Sequence, residues 1–221
     1  MRIWPLLIVR GSPQLTTNAP LVVDLLRHGA VDAAEWAFRG GGTDIALSHV
    51  GWQQMMRVAD HLPWDAIDEV AASPMQRCYQ PAQQFSEQHD AVPVHTIEAM
   101  RELDFGAWEG KGWQELAPDY QSELDVFWQQ PQGFTPPQGE PFDDFVARVQ
   151  QGWMQWTGNA TGHRLLIAHG GVIRVLLALI LGMPMDGVWR LDLPFASWSR
   201  VSLLAGHAPK LCFLNRLVEY P

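Results

Sequence analysis

The chain reads as an α/β protein of three layers, α/β/α, with a mostly parallel central sheet and an inserted helical cap. Apolar stretches of strand length alternate with stretches of helical periodicity, the pattern of parallel strands joined by crossover helices. Two of the strand stretches, Leu21–Leu26 and Leu165–Ala168, are almost wholly apolar, as expected of strands covered on both faces. Each is followed within two residues by a histidine and then glycine, in Arg27-His28-Gly29 and His169-Gly170-Gly171.

Taken in order, residues 1–20 are expected to form an N-terminal extension, because Arg10 to Pro20 is rich in Ser, Thr, Pro and Asn. Leu21–Leu26 is the first strand. The loop that follows contains Gly40-Gly41-Gly42, where the backbone can approach a ligand closely. Ser48 caps a helix with Trp52, Met55, Met56, Ala59 and Leu62 on one face, ended by Pro63. Glu69–Ala72 is a second strand. Ser73-Pro74 reads as N-cap and first residue of the next helix, with a kink expected at Pro81, whose missing N–H leaves the Arg77 carbonyl unbonded. Val92–Ile97 is a third strand. Residues 99–140, punctuated by Gly and Pro, are read as the cap. Phe142, Phe145, Val146, Val149, Trp153 and Trp156 mark a long amphipathic helix. After Leu165–Ala168 comes the apolar helix Val172–Leu181, too short to span a bilayer. Val201–Leu204 and Leu211–Leu214 close the sheet, so the domain covers residues 21–215 and leaves 216–221 as a C-terminal tail.

Composition narrows the function. The 221 residues carry a formal charge of −9, which argues against nucleic-acid or acidic-membrane partners. Cys78 and Cys212 follow no metal or redox spacing and read as two buried thiols in a reducing cytoplasm. The apolar run near the N-terminus is too short for a signal peptide. Eleven tryptophans are a high count, compatible with a homodimer but requiring none.

In an open α/β sheet, ligands gather beyond the carboxyl ends of the strands. His28 and His169 can meet there over one substrate. Arg27 ends a buried strand and Arg77 lies one turn into a helix at a similar junction; two guanidinium groups beside two imidazoles match the oxygens of a phosphate. Neutral imidazole can attack phosphorus, and the leaving oxygen then needs a general acid. Glu102 can supply it; apolar neighbours would raise its pKa and arginines would lower it. Asp104 and Glu109 are neighbouring carboxylates read as caps or surface charges, and the other six histidines as structural or exposed. Trp108 and Trp113 are read either as lining the substrate entrance or as core beneath the cap.

Four blocks, in this order, resemble the signature of the histidine phosphatase superfamily (phosphoglycerate mutase-like). They are Leu26-Arg27-His28-Gly29, Ser73-Pro74-Met75-Gln76-Arg77-Cys78, Glu102 to Gly110, and Ala168-His169-Gly170-Gly171. The resemblance implies that His28 is the phosphorylated nucleophile, that Arg27, Arg77, His169 and Gly170 form the phosphate pocket, and that Glu102 is the proton donor. Thr43 to Ser48, Asp104 to Gly110 and Pro137-Gln138-Gly139-Glu140 are similar to the phosphatase branch that includes alpha-ribazole phosphatase. Pro81 and Pro141 depart from the family pattern.

The expected function is therefore hydrolysis of a small phosphorylated metabolite, with alpha-ribazole 5′-phosphate of cobalamin synthesis as the substrate the resemblance implies. Sugar phosphates and nucleotides are the competing substrates. No cofactor and no metal is expected: a metal hydrolase built on His28, His169 and a carboxylate would set a cation against two arginines. A non-catalytic phospholigand-binding module is the third class, distinguishable by a His28→Ala variant that still binds ligand.

Overall fold

The computed structural model describes residues 19–32, 37–158 and 160–218. The expected N-terminal extension lies outside them, apart from its last two residues. The elements are β1 (Leu21–Arg27), α1 (His49–Ala59), β2 (Glu69–Ala72), α2 (Gln76–Gln88), β3 (Val94–Thr96), α3 (Trp113–Gln129), α4 (Phe142–Thr157), β4 (Gly162–Ala168), α5 (Gly170–Leu181), β5 (Trp198–Leu203) and β6 (Lys210–Arg216). They form one six-stranded sheet in the order β3-β2-β4-β1-β5-β6. The four strands from β3 to β1 run parallel, while β5 and β6 are antiparallel additions.

The sheet separates two apolar layers. Val23 and Leu25 face a core shared with α4, α5 and the cap, through Phe145, Val149, Val172 and Leu176. Leu26, Leu165 and Ile167 face the other way, onto Met55, Val58, Ala82 and Phe85 of α1 and α2. Central β1 and β4 are therefore covered on both sides, whereas edge strand β6 alternates exposed and half-buried residues.

Several expectations change. The second helix begins at Gln76 rather than at Ser73-Pro74, with Met75 in the N-cap position. The Ser73 hydroxyl is engaged by His169 instead, and the first turn receives its side-chain cap from Asp44, whose Oδ1 accepts from Gln76 N at 2.9 Å. α2 runs through Pro81 as one helix, while the irregular residue lies in α3 at Tyr120 (φ −131°, ψ 22°), two places after Pro118. The first helix stops at Ala59, before Pro63. Cys78 is buried as expected, but Cys212 is exposed, because edge strand β6 has one face in water. Among the described residues no helix is long and apolar enough to cross a membrane.

Candidate active site

β1 and β4 are neighbours in register, with Arg27 opposite Ala168. That pairing carries His28 and His169 to the same sheet edge, where their ring centroids are 5.2 Å apart. His28 Nδ1 lies 2.8 Å from the Gly29 carbonyl oxygen. A carbonyl can only accept, so Nδ1 carries the proton and Nε2 is left with a free lone pair. Burial, with Arg77 and Arg27 nearby, holds the His28 imidazole well below its ordinary pKa and therefore neutral.

Arg27 and Glu102 line the cavity with His28, as does Gly170. Burial and repulsion from Arg174 lower the Arg27 pKa to about 10, still a cation at neutral pH. One of its terminal nitrogens donates to the Leu193 carbonyl. Both Glu102 oxygens are held by backbone N–H groups, Oε1 by Leu103 at 3.0 Å and Oε2 by Gly171 at 2.8 Å. The second of these lies in the first turn of α5, where a helix favours negative charge. Only glycine fits at position 171: a Cβ there would sit 2.3 Å from Glu102 Oε1.

Arg77 and His169 stand one layer behind, both fully buried. The Arg77 guanidinium donates to His169 Nδ1 (3.2 Å), Thr43 O (3.3 Å) and Gly40 O (3.0 Å). His169 Nδ1 is therefore an acceptor, and its Nε2–H donates to Ser73 Oγ at 2.7 Å. Burial and the Arg77 charge keep His169 neutral as well, well below its ordinary pKa. Cys78 Sγ packs 3.6 Å from His169 Nε2, and burial pushes that thiol up.

The glycine run at 40–42 packs against the Glu102–Glu109 segment, and Gly41 also borders a second cavity with Arg101, Glu102 and Arg148. Gly41 N donates to Leu103 O at 2.9 Å, and Gly42 N to Glu109 Oε1 at 2.8 Å. Asp104 Oδ1 accepts from Gly106 N at 2.8 Å, so both neighbouring carboxylates order this loop. Trp108 is core and Trp113 is partly exposed at the start of α3; neither lines the cavity.

Several lining residues escaped the sequence reading, among them Phe38, Arg39, Arg174, Trp128, Trp189 and Phe195. Arg174 follows Gly170 by four positions, one helical turn on the same face, and that spacing was a usable signal. Nothing local marks Trp128 or Trp189 among eleven tryptophans. Among the described residues, no group of three or more His, Cys, Asp or Glu side chains is gathered as a metal site.

Comparison with known proteins accords with this geometry. The bifunctional protein Rv2228c of Mycobacterium tuberculosis is 34% identical over 201 residues, covering 90% of this chain and 55% of that protein. The chain thus spans little more than half the length of that curated relative. The adenosylcobalamin/alpha-ribazole phosphatase of Salmonella typhimurium is 27% identical over 198 residues, 89% of this chain and 98% of that one. The mycobacterial glucosyl-3-phosphoglycerate phosphatase Rv2419c, solved with inorganic phosphate, superposes with a TM-score of 0.73 at 25% identity, covering 90% of this chain and 98% of that one. Residues 23–215 match the family model of the histidine phosphatase superfamily, branch 1, and the chain belongs to that family.

Proposed function

We propose that the chain is a phosphomonoesterase working through a phosphohistidine on His28. The observation that carries this is the state of that ring: neutral, with Nδ1 tied to the Gly29 carbonyl and Nε2 left as a lone pair beside Arg27. Nε2 attacks phosphorus as the bond from phosphorus to the leaving oxygen breaks. Glu102 takes up the proton that arrives with the substrate and gives it to the departing alkoxide, releasing the alcohol. The resulting carboxylate then takes a proton from water, whose oxygen attacks the phosphorus. The P–N bond breaks, its electrons return to Nε2, and inorganic phosphate leaves.

Arg27 and the backbone at Gly170 hold the phosphoryl oxygens, where charge spreads in a loose transition state. Arg77 and His169 support the reaction from behind, Arg77 through its positive field and both by fixing one another in place. A cationic site of this kind offsets the negative charge of the phosphoryl group as the nucleophile approaches.

Alpha-ribazole 5′-phosphate is the substrate we assign, supported by the similarity to the Salmonella typhimurium enzyme over nearly its whole length. The test is to quench turnover of a 32P-labelled phosphomonoester and map the acid-labile label. Label on His28, absent from His28→Ala, is the expected result. A turning-over protein whose residue 28 never carries phosphorus would overturn the proposal. Phosphate release from alpha-ribazole 5′-phosphate, compared with sugar phosphates and nucleotides, checks the substrate.

A further inference from the structure

The cavity above His28 encloses about 180 Å³, the share of roughly six waters. A phosphate group takes the share of about two or three waters, which leaves the rest of the cavity and its rim to the alcohol portion of a substrate, against the outer residues. Those residues are aromatic. Trp128, at the end of α3, is 41% exposed, and Phe38, Trp189 and Phe195 are half-buried around the same cavity.

These rings are arranged rather than merely gathered. Trp128 meets Trp189 edge-on, with centroids 5.2 Å apart and planes at 73°, and lies tilted by 32° against Phe38 at 6.1 Å. Phe195 carries the Arg27 guanidinium 4.2 Å over its ring. Arg174 likewise lies 5.8 Å over the Trp189 ring, so cations and rings alternate around the cavity, and the exposed Trp128 is left to offer its ring to a further one in the geometries aromatic pairs prefer. A lone exposed tryptophan needs no explanation. Four partly open aromatic side chains bordering one anion site do.

We infer that this site selects phosphomonoesters whose alcohol carries a planar aromatic ring a few bonds from the phosphate, with Trp128 as the residue that reads the ring. The inference deepens the phosphatase reading and rests on it.

Benzyl phosphate and cyclohexylmethyl phosphate provide the test. Both leave as primary alkoxides of similar size, so their ratio reports ring planarity. The parent is expected to favour benzyl phosphate in kcat/KM by about tenfold, a preference of the size an aromatic contact supports. Trp128→Leu, which keeps apolar bulk, should bring the ratio near unity, and Trp128→Phe should restore most of the preference. Equal rates in the parent, or a preference that survives in Trp128→Leu, overturns the inference. Should Trp128→Leu fail to fold, as judged by its melting transition, Trp128→Met takes its place under the same criteria. If the protein turns over no phosphomonoester at all, the phosphatase reading fails instead. Calorimetry with benzylphosphonate and cyclohexylmethylphosphonate then decides the aromatic site separately: tighter benzyl binding that Trp128→Leu abolishes upholds it, and equal affinities remove it.

Discussion

The two central strands carry two polar clusters, one toward each end. Toward their amino ends, Asp24 of β1 accepts from Arg200 of β5 at 2.7 and 2.9 Å, and its Oδ2 lies 2.8 Å from His163 Nε2 of β4. Beyond their carboxyl ends lie Arg27, His28 and His169. The first cluster closes on itself: burial alone would raise the Asp24 pKa, but hydrogen bonds from His163 and Arg200 hold it below the usual carboxylate value. The second opens on a cavity. Among the described residues Arg27 and Arg174 line it with Glu102, and Asp192 acts on both arginines without lining it. A buried cluster closed on its own partners belongs to stability, and one that lines a cavity with cations is poised for a ligand.

Substitutions can break this contrast, and the largest effect falls at the open end. His28→Ala is expected to lower kcat by on the order of 10⁴-fold or more, as loss of a nucleophile does, with a melting temperature close to the parent's. A steady-state assay and a thermal melt on the same preparation check both halves. Glu102→Gln should cost on the order of 10²- to 10⁴-fold on alkyl phosphates, the span of general-acid catalysis. Compared in kcat/KM, which reports formation of the phosphohistidine and not its hydrolysis, the same variant should lose far less on p-nitrophenyl phosphate, because p-nitrophenolate leaves without a proton. Equal losses on both substrates would take the proton-donor role away from Glu102.

At the closed end the effects invert. Asp24→Asn leaves Arg200 without its carboxylate and should destabilise the fold by about 3 kcal/mol, measured by urea unfolding. The folded fraction should keep the parental kcat. A large fall in kcat with unchanged stability would erase the distinction between the clusters.

Acid gives the smallest and most graded test. His28 and His169 have folded pKa values below the unfolded value of about 6.5. The unfolded chain therefore binds protons that the folded one refuses, and stability falls as pH drops below that value. The contribution of Asp24, also depressed, is lost only further into acid, below about pH 4. Stability measured at stepped pH should decline in those two stages, and His169→Gln should flatten the first. The acid limb of kcat/KM, which reports the free enzyme, should lie below pH 6.5 for the same reason.

What the linear chain determined is local. Apolar runs made β1, β4 and α5 legible, and helical periodicity did the same for α4, because burial on all sides or along one stripe leaves its pattern in the residues themselves. The blocks around His28, Arg77, Glu102 and His169 were legible because each is a short contiguous motif. Folding decided which of them meet the cavity. Register between β1 and β4 brings the two imidazoles together, but a wall of Arg77, Ser73 and Cys78 encloses His169, and no spacing along the chain encodes that. It also recruited Arg39, Trp128, Trp189 and Phe195 from separate loops and helices. Contacts between residues far apart in sequence have no period and no motif, so only packing in three dimensions could choose them.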